Sequence, residues 1–208
     1  MPVAVYAAAA IAGQMAAITE FLSHLSGPVN VLDIGAGTGS FSRAFQQACN
    51  HPKNRFYWID ISAERMKASR NELWFAEAIE TIVADLREET DFPDIPRCEI
   101  NVVLAGLLRP YLPKGVYACT LSALIAEKLR PNGLAVLVEM APSSFSASQV
   151  QRGLSDQEVL WDMSRALSSP GRIDVEAPIR LELPIVVEET GARYEGVLLL
   201  VCGRRQAG

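Results

Sequence analysis

Three aspartates and a run of glycines are spaced as a ligand site needs them. Val31-Leu-Asp-Ile-Gly-Ala-Gly-Thr-Gly39 lies between an apolar run and a helical pattern. Glycines in that context permit a tight turn and let the backbone approach a bound molecule. The spacing is Gly-x-Gly-x-Gly; the dinucleotide fingerprint would place its third glycine at position 40, where the chain has Ser40, which removes support for hydride chemistry. Asp60 closes the next apolar run, where a carboxylate can accept both ribose hydroxyls. Asp85 closes the one after it, and Asp33 sits inside the glycine motif itself. Taken singly, each carboxylate also reads as an ordinary turn or capping residue.

These residues require strands that end together. Val29 to Ile34 reads as a buried strand, Phe41 to Ala48 as a helix, Arg55 to Asp60 as a second strand, and Ala63 to Ala78 as a helix capped by Ser62. Thr81 to Ala84 is a third strand, Leu86 to Cys98 a loop, and Ile100 to Ala105 a fourth, nearly continuous apolar strand. A helix from about Lys114 to Leu129 stops at Pro131-Asn-Gly133, and Leu134 to Glu139 is the fifth strand. Ser155 and Glu158 have capping-box spacing ahead of an apolar stripe made by Val159, Leu160, Met163, Ala166 and Leu167. Arg180 to Glu188 and Tyr194 to Gly203 form a terminal hairpin. The expectation is a doubly wound α/β sheet with right-handed crossovers, binding its ligand beyond the carboxyl ends of the strands.

Composition narrows the class. The chain has 208 residues, half of them hydrophobic, with 24 acidic against 19 basic side chains and a net charge of −5, a balance that excludes disordered and membrane-protein compositions. It offers no general electrostatic footprint for nucleic acid. Cys49, Cys98, Cys119 and Cys202 are scattered, without a Cys-x-x-Cys pair and with only two histidines, so neither a zinc site nor a disulfide framework is expected. The Ala-rich stretch from Val3 to Leu25 reads as a helix; no Lys or Arg precedes Arg43, so its apolar part, Val3 to Ile18, lacks a signal peptide's positive start, and that part is too short and too weakly apolar to span a membrane. The chain is expected to be cytoplasmic, one domain over residues 1–208, with a helical cap at 1–28 and a core at 29–203.

With these elements in place, the run from Val31 to Gly39 and the strand-end residues Asp60 and Asp85 resemble the class I S-adenosylmethionine-dependent methyltransferase family. The resemblance covers about Val29 to Gly203 and implies a seven-stranded sheet of order 3-2-1-4-5-7-6. It implies S-adenosylmethionine, or its product S-adenosylhomocysteine, as cofactor: Gly35, Ala36 and Gly37 along the methionine, Asp60 on the ribose, Ile61 against adenine, and Asp85 accepting from the adenine amino group with Leu86 nearby. Asp33 would order the loop or the cofactor amino group, and Ala105 would lie beside the sulfonium.

Catalytic residues are not identified by the sequence. His24, His51, Cys49 and Cys98 fall at the opposite end of the expected sheet, Cys202 falls in the terminal strand, and Cys119, in the first turns of the helix after strand four, either approaches the site or is a buried helix cysteine. The acceptor side offers Tyr6 on the N-terminal helix, Arg109, Tyr111 and Lys114 after strand four, Glu139 ending strand five, and Trp161 off the apolar stripe of its helix. Arg109 and Lys114 either hold an anionic group or are solvated loop charges; Glu139 either orients an amine or satisfies loop amides. Trp161 is a pocket wall, a platform for a cation, or an anchor. Strand four continues as Leu104-Ala-Gly-Leu-Leu-Arg-Pro110, without the motifs of enzymes that methylate DNA bases, and no acidic metal set is evident. The sequence therefore points to a metal-free transferase for a small-molecule acceptor, its oligomeric state open. Two other readings stand beside it. One is an enzyme of the same fold that displaces a different sulfonium carbon, by aminocarboxypropyl transfer or ring closure, and releases methylthioadenosine; the other is a non-catalytic cofactor-binding subunit.

Overall fold

The computed structural model describes residues 4–6, 25, 27–89, 91–109, 111–113, 115–142, 155–168, 173–187 and 193–207. Its parallel strands are the apolar runs of the sequence: β2 (Asn30–Ile34), β3 (Arg55–Asp60), β4 (Ile79–Val83), β5 (Ile100–Gly106) and β6 (Leu129–Met140). Every residue of β5 is buried, as expected of a central strand covered on both faces. The antiparallel part comprises β1 (Ala4–Tyr6), β7 (Ile173–Val175), β8 (Ile179–Val187) and β9 (Arg193–Arg205). The strands run in space β4-β3-β2-β5-β6-β9-β8-β1, with β7 also paired to β9. Leaving out β1 and β7, this is the expected order 3-2-1-4-5-7-6.

Register decides where the site falls. Ile34 pairs with Ile59 and with Ala105, and Asp60 pairs with Val83, so β2, β3, β4 and β5 end level with one another. Helices α1 (Ser40–Ala48) and α2 (Ala63–Asn71) pack one face through Phe45 and Met66, against Phe56, Trp58 and Val102. Helices α3 (Val116–Lys128) and α4 (Asp156–Ser168) cover the other through Leu121, Ile125, Val159 and Met163, against Ile59, Val103 and Leu137. The capping box of α4 forms in both directions: Ser155 N–H donates to Glu158 Oε2 at 2.8 Å and Glu158 N–H to Ser155 Oγ at 3.2 Å. Ser62 likewise caps α2, accepting from Arg65 N–H at 3.3 Å.

Several elements differ from expectation. Ala4–Tyr6 is a strand paired antiparallel to β8, not the start of a helix: pairing with an open sheet edge overrides the helix propensity of alanine. Residues 7–24, including the rest of that expected helix and His24, lie outside the described residues, as do Lys114, the 143–154 connection and the hairpin turn at 188–192. Helix α2 stops at Asn71 and a 3-10 turn follows at Ala76–Ala78, because Leu73 and Phe75 leave the helical path to enter the core. Pro131-Asn-Gly133 lies within β6, Asn132 taking a left-handed φ of 62°. The expected loop after Asp85 carries Phe92 and Ile95 into the core, and the fully buried Lys128 donates to their carbonyls at 2.7 and 3.1 Å. No described helix is long and apolar enough to cross a membrane.

Candidate active site

The glycine loop turns at the carboxyl end of β2 and is tied to β3. Gly35 and Ala36 N–H donate to the Ile59 carbonyl at 2.8 and 3.0 Å. Gly37 N–H donates to Asp60 Oδ2 at 2.9 Å, while Ser62 N–H donates to Asp60 Oδ1 at 2.8 Å. Each carboxylate oxygen accepts one of these bonds and has lone pairs for another, so Asp60 is fixed in place and keeps acceptor capacity. Gly37 has φ of 52° and a Cβ there would meet nothing closer than 3.8 Å; its side of the loop is open. At Gly39, with φ of 66°, a Cβ would stand 2.2 Å from the Trp58 ring. Gly37 therefore faces free space and Gly39 faces the core.

Asp33 is buried beneath this loop. Its Oδ2 accepts from Ser42 Oγ at 2.6 Å and Ser42 N–H at 3.2 Å, and Ser42 Oγ accepts from Trp58 Nε1 at 2.8 Å. Its other oxygen is buried without a partner among the described residues. Burial pushes the Asp33 carboxyl up to about 6, against the opposing pull of Ser42.

Beyond Asp60, Ile61 is 61% exposed and Val83, paired to Asp60, is 54% exposed. Two apolar side chains thus stand in water at the ends of neighbouring strands, surface of the kind a flat apolar ring can cover. Asp85 is held by Arg87, whose Nε donates to both carboxylate oxygens at 2.8 and 3.0 Å. These hydrogen bonds hold its carboxyl down at about 2. Leu86 is buried with its carbonyl accepting from Thr120 Oγ1 at 3.5 Å, and the Ala105 side chain is buried in the core.

The acceptor end is organised by buried charges. Glu139 Oε1 accepts from the N–H groups of Leu108 and Arg109 at 2.9 and 3.1 Å. Burial lifts its carboxyl to about 8 despite those bonds. Arg109 donates through Nε and Nη2 to Asp162 Oδ2 at 3.0 and 2.7 Å, both partners buried. Tyr117 is buried beside Glu139, Arg109 and Asp162, its hydroxyl without a hydrogen-bond partner among the described residues; burial, then the Glu139 charge, raises its pKa well above the usual range. Tyr111 and Trp161 are 58% and 56% exposed, and the Arg165 guanidinium lies 4.6 Å over the Trp161 ring. Tyr6 stands on β1. Cys119 is exposed, not buried.

Asp33, Gly35, Ala36, Gly37, Asp60 and Ile61 thus gather around one loop, whereas the Asp85 carboxylate is occupied by Arg87 and Arg109 points to Asp162. Sequence reasoning missed Ser42, Trp58, Leu108, Tyr117 and Asp162. One signal was available: Asp162 falls on the buried stripe of α4 with Val159, Met163 and Ala166, and a carboxylate on such a stripe requires a partner.

An S-adenosylmethionine molecule fits these residues. The orphaned Asp33 oxygen, the open side of Gly37, the spare acceptor capacity of Asp60 and the exposed Ile61 and Val83 match an amine, a close backbone approach, a ribose diol and an adenine ring.

A methyltransferase-domain family model matches residues 31–133, about half of the chain. The sequence finds no match among curated proteins. Among solved structures, one from work on the conversion of a disulfide bond into a thioacetal group during echinomycin biosynthesis superposes with a TM-score of 0.68 at 15% identity, covering 93% of this chain and 80% of that one. A precorrin-6y C5,15-methyltransferase from Geobacter metallireducens gives 0.59 at 17%, covering 92% and 86%. A geranyl diphosphate methyltransferase in complex with S-adenosylmethionine gives 0.62 at 15%, covering 93% and 85%. With the matched domain spanning the glycine loop and Asp60, on a sheet of this order, the chain belongs to the class I S-adenosylmethionine-dependent methyltransferases.

Proposed function

We propose that the chain methylates a small-molecule acceptor and needs no metal to do so. The observation that carries this reading is the placement of Tyr111 and Trp161. Both are largely exposed, and each stands within two residues of one partner of the buried Arg109–Asp162 ion pair. The pair holds two aromatic-bearing segments together beyond the ends of β5 and β6, and pockets for small organic ligands are commonly lined with aromatic side chains around a few fixed polar groups. A geranyl diphosphate methyltransferase of the same fold is bound to GPP and sinefungin, an example of this architecture with a small acceptor.

In this reading Gly35 to Gly37 pass along the methionine part of the cofactor, Asp33 takes its amino group, Asp60 the ribose, and Ile61 with Val83 the adenine. When bound, the cofactor supplies an electrophilic methyl group. The chain's own contribution is alignment and exclusion of water, which can account for much of the acceleration of a displacement. Leu108 closes the floor of the site against Gly35. Trp161 and Tyr111 wall the acceptor side. Metal-free chemistry rests on that electrophile: an amine, thiolate or activated oxygen held in line reacts without a Lewis acid.

The test uses cofactor carrying a labelled methyl group, incubated with the full chain and, separately, a small-metabolite extract, bulk RNA and protein. Label is expected in the small-molecule fraction, unchanged by EDTA, with S-adenosylhomocysteine as co-product. Label confined to RNA or protein would sink the acceptor assignment, loss of activity on chelation the metal-free reading, and methylthioadenosine as co-product would point to displacement at another carbon. Trp161→Ala should lower turnover with S-adenosylhomocysteine affinity within a few-fold, because in this reading the largely exposed ring, carrying Arg165 on its face, walls the acceptor side and lies off the adenosine site.

A further inference from the structure

The segment after β5 is held in a conformation its residues do not favour. Leu107 has φ of 59°, a left-handed value that costs a bulky residue free energy and that clusters at functional sites. Its N–H donates to the Val138 carbonyl, and the next two N–H groups donate to the single oxygen Glu139 Oε1. The other end of the segment is anchored by Arg109 on Asp162 of α4. Between these anchors the Leu108 side chain occupies the space a Gly35 Cβ would need, its Cδ2 lying 2.3 Å from that position. A buried carboxylate therefore fixes, through two backbone amides, the residue that packs against the cofactor loop.

We infer that Glu139 is a positioning residue: by clamping Leu108 and Arg109 it sets the floor of the cofactor pocket at Gly35, and Asp162 anchors the same segment to the acceptor-side helix. This rests on the assignment of Gly35 to Gly37 as the cofactor loop. It differs from contact with substrate, since Glu139 is buried under the segment it holds.

Ionisation of Glu139 tunes the clamp. An ionised carboxylate accepts amide hydrogen bonds more strongly than a neutral acid does, but burial outweighs that gain and lifts the Glu139 carboxyl from 4.5 to about 8. The clamped state therefore holds its proton more tightly than an open, solvated one, and the clamp loosens as pH rises through about 8. The groups facing it are Tyr117 from α3, Arg109 from the clamped segment and, beyond these, Asp162 from α4. Tyr117 is pushed well above its usual range by burial and by the Glu139 charge, so it stays neutral in that window.

The experiment compares wild type with Glu139→Gln, whose amide oxygen mimics the neutral acid and does not titrate. S-adenosylhomocysteine affinity and hydrogen exchange at the Leu108 and Arg109 amides are measured from pH 6.5 to 9.5, roughly spanning the Glu139 transition. The ratio of wild-type to variant affinity is used, so titration of the ligand amine and of Asp33 cancels. The ratio should fall about fivefold across pH 8, with the protection of the two amides relative to their intrinsic exchange dropping in wild type alone. Asp162→Asn, which leaves Glu139 in place, should keep the pH inflection and weaken binding about tenfold by freeing Arg109; it carries the test if the glutamine variant does not fold. A flat ratio, or an Asp162→Asn protein with wild-type affinity, overturns the inference. A wild-type chain that fails to bind S-adenosylhomocysteine instead overturns the cofactor-loop assignment, and the inference with it.

Discussion

Alanine at Gly37 and at Gly39 should produce opposite failures, although the two positions are separated by a single residue. Gly37 has φ of 52° and an added Cβ would lie 3.8 Å from the Gly35 carbonyl and 3.9 Å from Asp60 Oδ2. Those are ordinary contacts, so the cost is the left-handed backbone alone, about 1 kcal/mol. For a chain of this length that lowers Tm by about 2–4 °C. The added methyl projects into the open side of the loop, and S-adenosylhomocysteine binding should weaken at least about tenfold, or about 1.4 kcal/mol. At Gly39 the same methyl would meet Trp58 carbons at 2.2 and 2.3 Å. That ring is fully buried and its Nε1 is bonded to Ser42, so it cannot swing away; overpacking adds about 1–3 kcal/mol to the backbone cost. Gly39→Ala should therefore lose about 2–4 kcal/mol, visible as a much larger fall in Tm. Melting curves without ligand followed by calorimetry with S-adenosylhomocysteine separate the two effects. Gly37→Ala binding like wild type, or melting with Gly39→Ala, would refute the assignment of one glycine to ligand and the other to core.

Three further outcomes follow from the buried and paired charges. Burial raises the Asp33 carboxyl from 3.8 to about 6, so its stabilising contribution is full below the lower value and is lost as pH rises through the upper one; Asp33→Asn should gain up to about 3 kcal/mol relative to wild type between pH 4 and pH 8 in urea titrations, and a constant difference would contradict the burial argument. Arg109→Ala leaves Asp162 buried without its cation and should cost about 3–5 kcal/mol, whereas the double variant Arg109→Met with Asp162→Leu, which removes both charges, should recover most of it; equal stability of the two proteins by denaturant midpoint would argue against a desolvated pair. Arg87→Gln frees the Asp85 carboxylate and should tighten S-adenosylhomocysteine binding a few-fold, while Asp85→Asn weakens it; tighter binding in both would show that Asp85 does not hold the adenine amine.

What the sequence disclosed was the local part of the design. The run Arg55 to Asp60 reads as a strand because a buried parallel strand is a continuous apolar segment, and its observed limits are the same. Ser62 and the Ser155/Glu158 box announce helix starts through side chains whose partners lie three residues away. Contacts between distant segments carry no such signature. Nothing in the spacing of Asp33, Ser42 and Trp58 indicates that they share hydrogen bonds, or that Leu108 rests on Gly35. Ala4–Tyr6 departs from the helical expectation for a related reason: three residues beside an open edge take their conformation from β8 rather than from the alanines that follow. Asp85 reads as a free acceptor because the sequence does not reveal that Arg87 folds back on it.

The ammonium of Lys128 is fully enclosed, donating to the carbonyls of Phe92 and Ile95 and to Glu127 Oε1 at 3.0 Å. The chain has 4 lysines in all, so amine-directed chemistry meets very few targets. Lys53 and Lys67 are exposed and open to reagent at once, whereas Lys128 becomes reactive only when the 86–98 segment lifts from α3. Reductive methylation at Lys128, followed by peptide mass spectrometry, thus times the opening of that segment independently of global unfolding. Because the segment begins immediately beyond Asp85, cofactor that engages Asp85 should slow labelling at this buried amine, which lies where β5 and β6 begin, at the opposite end of the sheet.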